Sequence, residues 1–234
     1  MLKLLDEMLK NLLKVTFPVF CNGCFKALLK NEAIICTKCI HNLPLTYHHK
    51  IKETEIDKVF YGLIPFEFAA SFLYFTKKGI TQNLMHNLKY KNRQEIGTYL
   101  GNLYAKELIN LDVFKEIDFI IPVPLHQKRL HQRGYNQVTT FCNVIENNLS
   151  IPVLENVLVK TKNLKSQTNK SKEGRIENNK NVFLIENHHK IEGKHVLLVD
   201  DIFTTGATIE ACAKEILKIK NTKISILTMA YTQS

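Results

Sequence analysis

The sequence predicts an α/β fold with a mostly parallel sheet, preceded by a small cysteine-rich module. Three observations carry this expectation. Short apolar runs alternate with stretches of helical periodicity, runs such as DFIIPVP and HVLLVD suit strands buried on both faces, and four of the six cysteines crowd into CNGCFKALLKNEAIICTKC. A chain of 234 residues with 45% apolar content is long enough for one full domain and a small appendage. We place the boundary at residue 57, with an N-terminal helix, the cysteine module and a linker over 1–57 and the α/β domain over 58–234.

The elements follow in order. Leu2, Leu5, Leu9, Leu12 and Leu13 recur at helical spacing, which makes an amphipathic helix packed on its neighbour, or alternatively one lying on a membrane surface. Lys3, Asp6, Glu7, Lys10 and Lys14 interrupt it and no small-residue cleavage site follows, so a signal peptide is not expected. No stretch has the length of apolar sequence that spans a bilayer, and a cytoplasmic protein is expected. NLPLTYHHKIKETEID, residues 42–57, is polar and unperiodic and reads as a linker. VFYGLIPFEFAASFLYF suggests two short strands joined near Pro65. Helical spacing runs from Gly79 to Asn110, and DFIIPVP (118–124) is a strand that Pro122 stops. A helix over 135–149, strands at 153–159 and 182–185, the strand HVLLVD, a helix over 207–220 and the strand ISILTMAY complete the pattern.

Cys21 and Cys24 form one Cys-x-x-Cys knuckle, and Cys36 and Cys39 form a second. Each knuckle turns two thiolates toward one point, and two knuckles close a tetrahedral, structural zinc site with no open position for water. Disulfides are the weaker reading in a reducing compartment, and a redox motif would need only one pair. Cys142 and Cys212 fall in helical patterns and read as small buried apolar residues.

Lys plus Arg number 32 against 22 Asp plus Glu, a net charge of +10, which favours phosphorylated small molecules or nucleic acid as partners. The competing reading is a solvated basic surface. The informative stretch is VLLVDDIFTTGAT, residues 196–208. In an open α/β sheet, ligands bind beyond the carboxyl ends of strands, where Asp200 and Asp201 stand. The turn that follows leads into a helix whose N-terminal amides and dipole favour an anion. Gly206 permits the tight turn, and Thr204, Thr205 and Thr208 add hydroxyls around Ala207. The Gly-Lys-Ser/Thr ending of a P-loop is absent, which suits a monophosphate. Two carboxylates beside it suit neutral donors such as sugar hydroxyls, and a ribose 5-phosphate has both ends.

These thirteen residues resemble the signature of type I phosphoribosyltransferases, whose sheet carries a hood and which bind phosphoribosyl pyrophosphate with Mg²⁺. The resemblance implies that Asp200 and Asp201 hold the ribose hydroxyls at the reacting sugar, and that Thr204, Thr205, Gly206, Ala207 and Thr208 hold the 5′-phosphate. IPVPLHQKRLHQRGYNQ (121–137), together with the cysteine ribbon, LKYKNR (88–93) and a SQ…R..N stretch (166–178), is similar to the ComF family of competence proteins. One departure is Leu164, where a Thr three residues before Gln167 is the expected residue. A departing pyrophosphate develops negative charge and needs cations or Mg²⁺. His126, Lys128, Arg129 and Arg133 cluster past a strand end where that charge would lie, and Tyr135, Asn136 and Gln137 begin the next helix. A basic surface loop is the alternative. KTKNLKSQTNKSKEGR offers Lys165, Gln167, Lys170, Lys172 and Arg175 either to a flap over the pyrophosphate, to a track for single-stranded DNA, or to solvent alone. Three functions follow: a competence protein handling incoming single-stranded DNA with competence partners, a working phosphoribosyltransferase, and a sensor of phosphoribosyl pyrophosphate.

Overall fold

The computed structural model describes residues 18–161 and 182–233. The proposed N-terminal helix and the flap or DNA residues Lys165, Gln167, Lys170, Lys172 and Arg175 lie outside the described residues. After the first cysteine knuckle come helices α1 (Thr37–His41) and α2 (Glu55–Phe60), then strand β1 (Phe68–Phe75), α3 (Ile80–Tyr90), α4 (Glu95–Leu108) and β2 (Phe119–Pro122). The chain continues through α5 (Gln127–Arg133), α6 (Thr139–Leu149), β3 (Leu158–Lys160), β4 (Phe183–Ile185), β5 (His195–Phe203), α7 (Ala207–Ile216) and β6 (Lys223–Thr232).

Four strands form one parallel sheet in the order β1-β6-β5-β2, and β3 pairs with β4 in a separate antiparallel ribbon. Strand geometry sends alternate side chains to opposite faces. In β5, Leu197 and Val199 therefore enter the core that holds Leu84, Leu88, Leu100, Tyr104 and Phe141 from α3, α4 and α6. Val196 and Leu198 enter the opposite core, with Ile56 and Phe60 of α2 and Ile209, Cys212 and Ile216 of α7. Both faces are covered, which explains why HVLLV is apolar at every position but its first. Helices α4 and α6 approach closely at two small residues. A Cβ on Gly97 would collide with Thr140 Oγ1, and one on Gly101 would stand 2.9 Å from Val144 Cβ.

Several elements differ from the sequence reading. The segment 42–57 is no free linker: Leu45 bridges to Leu73, Thr46 Oγ1 donates to the Ser71 carbonyl and His48 is fully buried. Its polar residues are used inside the fold, which composition does not reveal. Only one strand, β1, forms where two were expected, because Thr54 and Asp57 make a reciprocal capping box that starts α2 and carries it through Phe60. Residues 127–133 form a helix. The His126 ring accepts from the Lys128 amide at 3.1 Å and Gly134 closes the far end at φ +78°. Tyr135, Asn136 and Gln137 therefore lie between two helices instead of opening one. Strand β5 runs to Phe203, so Asp200 and Asp201 belong to its last turn of ladder, and α7 ends at Ile216.

Candidate functional site

The four cysteine sulfurs lie within 4.8 Å of one another, with Cys24 Sγ and Cys36 Sγ 3.7 Å apart. A tetrahedral zinc with bonds of about 2.3 Å would hold its sulfurs roughly 3.8 Å apart. Backbone amides of Gly23 and Cys36 donate to Cys21 Sγ at 3.3 and 3.2 Å. Burial raises the Cys21 thiol, but the amides of Cys36, Cys24 and Gly23 outweigh it and bring it down to about 7, while burial drives Cys39 upward. A Cβ on Gly23 would fall 3.1 Å from Cys39 Sγ, so the bare backbone lets the first knuckle close on the second. Donor set and spacing both fit zinc. The module is anchored to α3 by Asn83, which donates to the Gly23 carbonyl at 2.7 Å, and by Asn87, which donates to the Asn22 carbonyl at 3.2 Å.

At the carboxyl end of β5, Gly206 takes φ +76° and caps α7, with the rings of Phe203 and Phe60 packed against it. A Cβ there would stand 2.9 and 3.0 Å from those rings, so the position needs glycine for space and for backbone. Thr204, Thr205, Ala207 and Thr208 are exposed around it. The amides of the first helical turn have no carbonyl partners of their own within the helix, so this loop can receive an anion.

The two acids differ. Asp200 is half-buried, and among the described residues its hydrogen bond comes from the Asp201 amide at 2.8 Å. Burial, then the charge of Asp201, pushes its carboxyl up to about 7, against the pull of that amide, Lys89 and Lys160. Asp201 is buried, and both its oxygens are engaged: Lys89 Nζ lies 2.9 Å from Oδ1, and Gln137 Nε2 donates to Oδ2. Gln137 Oε1 in turn accepts from Arg133 Nη1 at 2.7 Å, and the Arg133 guanidinium lies 5.2 Å from the centre of the Tyr90 ring.

A cleft of ≈ 600 Å³ opens beside this chain of contacts, lined by Lys89, Tyr90, Asn92, Arg129, Gln132, Arg133 and Tyr135. Of the basic residues grouped by sequence, Arg129 and Arg133 reach it. Lys128 borders a different, shallow depression with Gln127, Leu130, His131 and Gly134, and His126 serves as the helix cap. Tyr135 donates its hydroxyl to the Leu88 carbonyl, and Asn136 donates to the Val123 carbonyl at 3.0 Å; both fasten the loop. Lys89 and Tyr90 belong to the LKYKNR stretch, to which sequence reasoning gave no role. Their neighbours at the site are distant along the chain, so no local pattern pointed to them.

The phosphoribosyl transferase domain family matches residues 140–234, which contain the β5 strand end and the phosphate-type loop. The DNA utilization protein YhgH of Escherichia coli O157:H7 is 32% identical over 138 residues, 58% of this chain and 60% of that one. Competence protein F of Haemophilus influenzae is 30% identical over 151 residues, 63% of this chain and 66% of that one. The chain carries a phosphoribosyl transferase domain and is a homologue of competence protein F. The likeness to competence protein ComFC of Bacillus subtilis (strain 168) is 24% over 213 residues, 89% of this chain and 82% of that one. The chain spans about 60% of the length of the YhgH relatives it matches. In this ComF homologue, among the described residues, no helix is long and apolar enough to cross a membrane.

Proposed function

We propose that this chain is a cytoplasmic, competence-related protein that handles incoming single-stranded DNA and binds phosphoribosyl pyrophosphate, or a similar phosphorylated ribose, with Mg²⁺. One observation carries the ligand reading: β5 delivers Asp200 to the rim of an exposed loop whose glycine, Gly206, is fixed by space and by backbone angle. In this reading Thr204, Thr205, Gly206, Ala207 and Thr208 receive the 5′-phosphate at the start of α7. Asp200 faces the ribose hydroxyls, and Arg129, Arg133 and Lys89 face the pyrophosphate in the adjoining cleft. Mg²⁺ prefers oxygen donors and stays partly hydrated; Asp200 is the carboxylate here without a side-chain partner among the described residues, and so the one able to face it. Bound Mg²⁺ would supply charge neutralisation of the pyrophosphate. Cys21, Cys24, Cys36 and Cys39 would hold a structural zinc.

The DNA part rests on the likeness to a DNA utilization protein and to two competence proteins, and on the net charge of +10. Lys165, Gln167, Lys170, Lys172 and Arg175 remain its proposed contacts, either as track or as flap. The second reading, a transferase moving ribose 5-phosphate to a base or amine, is favoured by the open cleft beyond Asp201 and the exposed ring of Tyr90 within it.

Calorimetry with phosphoribosyl pyrophosphate in the presence of Mg²⁺ tests the common element. Micromolar binding that Asp200→Ala weakens supports it, and no heat at any Mg²⁺ concentration sinks it. Release of pyrophosphate on adding a panel of bases and amines would move the assignment to the transferase. Binding of single-stranded DNA should weaken with salt by about 0.7 log units per log unit of salt for each phosphate contacted. Protein that binds none at low salt removes the DNA part.

A further inference from the structure

The contacts around Gln137 are more specific than packing requires. Its side chain is buried, 5% exposed, and lies behind the cleft, outside the residues that line it. Nε2 donates to Asp201 Oδ2 and Oε1 accepts from Arg133 Nη1 at 2.7 Å. A carboxylate can only accept and a guanidinium can only donate, so a group placed between them must do both, in one orientation. An amide of this length does so. Glutamate would repel Asp201, methionine would fill the volume with no bond to either, and asparagine falls one methylene short. The rest of the arrangement holds the same two groups from outside: Lys89 fixes the other oxygen of Asp201 at 2.9 Å, and Tyr90 lies under the guanidinium of Arg133. Lys89 and Tyr90 are consecutive at the end of α3, while Arg133 and Gln137 flank the turn from α5 to α6. One glutamine thus ties the end of β5 to the cationic wall of the cleft.

We propose that Gln137 is a positioning residue: it aims the Arg133 guanidinium into the cleft and anchors it to Asp201, each of whose oxygens takes a donor from the protein. This rests on the reading above, in which the cleft takes the pyrophosphate and Asp200 takes the ribose. The two neighbouring acids then have different duties. Asp200 serves the sugar, and Asp201 serves the anion through Gln137 and Arg133.

The test separates the two halves of the ligand, with Mg²⁺ present, by calorimetry on inorganic pyrophosphate and on ribose 5-phosphate. Wild-type protein should bind both. Gln137→Met, which conserves volume, should weaken pyrophosphate by about tenfold, the scale of one charge-assisted contact losing its geometry, and leave ribose 5-phosphate within about twofold. Gln137→Glu should do the same or more. Asp200→Asn should give the opposite split. Because a buried substitution can cost folding, Tyr90→Leu supplies an exposed counterpart: it removes the ring under Arg133 and should also weaken pyrophosphate selectively, by a smaller factor. Equal loss of both ligands in the soluble Gln137 variants, or no loss of either, overturns the positioning role; a Gln137 variant that fails to fold leaves the decision to Tyr90→Leu, where an unchanged pyrophosphate affinity overturns it. Wild-type protein that binds neither ligand removes the phosphoribosyl pyrophosphate reading itself, and the proposal with it.

Discussion

The cysteine module and the end of β5 are both small polar constellations set beside a large apolar core, yet they are assembled in opposite ways. The module draws all four sulfurs from the span between Cys21 and Cys39, and local turns bring them within 4.8 Å. The strand end draws on Lys89, 112 residues before Asp201, and on Gln137, 64 residues before it. A site built from one short segment can keep its own shape when a ligand holds it. A site built across the sheet depends on every element that delivers a side chain. The two are also joined, because Asn83 and Asn87 of α3 hold the module and the same helix carries Lys89 in its last turn.

The largest effect should come from breaking the first region. Structural zinc contributes about 10–16 kcal/mol of apparent binding energy in isolated zinc peptides, and that energy is folding energy. Chelation, or Cys21→Ser, should therefore unfold the module. Cys21, Ile35 and Cys39 share the core that contains Leu84 and Leu88, so the loss should spread into α3. Hydrogen exchange should show α1 and the first turns of α3 losing protection while β5, β6 and α7 keep theirs. Protein purified without added metal that contains no zinc, or exchange rates unmoved by chelation, would end the comparison.

Lys89→Met should come next. The pair is mostly buried, with side-chain exposures of 18% for Lys89 and 9% for Asp201. Removing one partner leaves a carboxylate beside Asp200 held, among the described residues, by Gln137, and breaking a buried pair costs about 3–5 kcal/mol. The double variant Lys89→Met with Asp201→Asn removes the stranded charge and should recover most of that loss. Urea denaturation of both, compared as a double-mutant cycle, measures the coupling. Additive losses would mean that the contact contributes little.

The two regions also differ in how far they could be read from sequence. The cysteine spacing announces its geometry because the chemistry is local. The strand, turn and helix around VLLVDDIFTTGAT are legible for the same reason: apolar run, acids, glycine turn and helix follow one another without a gap. The sequence does not show which acid is free. That depends on Lys89, whose charge would suit a solvated helix end equally well, and on Gln137, whose neighbour Asn136 merely fastens a loop to Val123. The helix at 127–133 was hidden because its start is capped by a histidine, a less usual cap than Ser, Thr, Asp or Asn.

Gly206→Ala probes the part of the strand end that is local. A non-glycine residue in the left-handed region costs about 1–2 kcal/mol, and overpacking against rings about 1–3 more. We expect a loss of about 2–5 kcal/mol, against Phe203 and Phe60 at 2.9 and 3.0 Å, together with weaker binding of inorganic phosphate. A variant with wild-type stability and phosphate affinity would show that the loop reshapes freely and is no fixed cradle.

The effect that most directly separates Asp200 from Asp201 is in pH. Burial, and then the charge of Asp201, push Asp200 up to about 7 from the usual carboxylate range. The folded protein then binds a proton at Asp200 that the unfolded chain has already released, throughout the window from its ordinary value of 3.8 to about 7. Stability from this group is therefore greatest below that window and declines as pH rises through it, levelling above about 7. Ligand binding should run the other way. A neutral carboxyl attracts Mg²⁺ weakly, so affinity for phosphoribosyl pyrophosphate with Mg²⁺ should increase as pH is raised through about 7, and binding near that pH should release a proton. Calorimetry in buffers of different ionisation heat counts that proton directly. Asp200→Asn should lower the affinity and flatten its pH dependence, whereas Gln137→Met should shift affinity and keep the slope. If the slope persists without the Asp200 carboxyl, the titrating group lies elsewhere, the pyrophosphate itself being the first to examine, and the division of labour between the two acids fails.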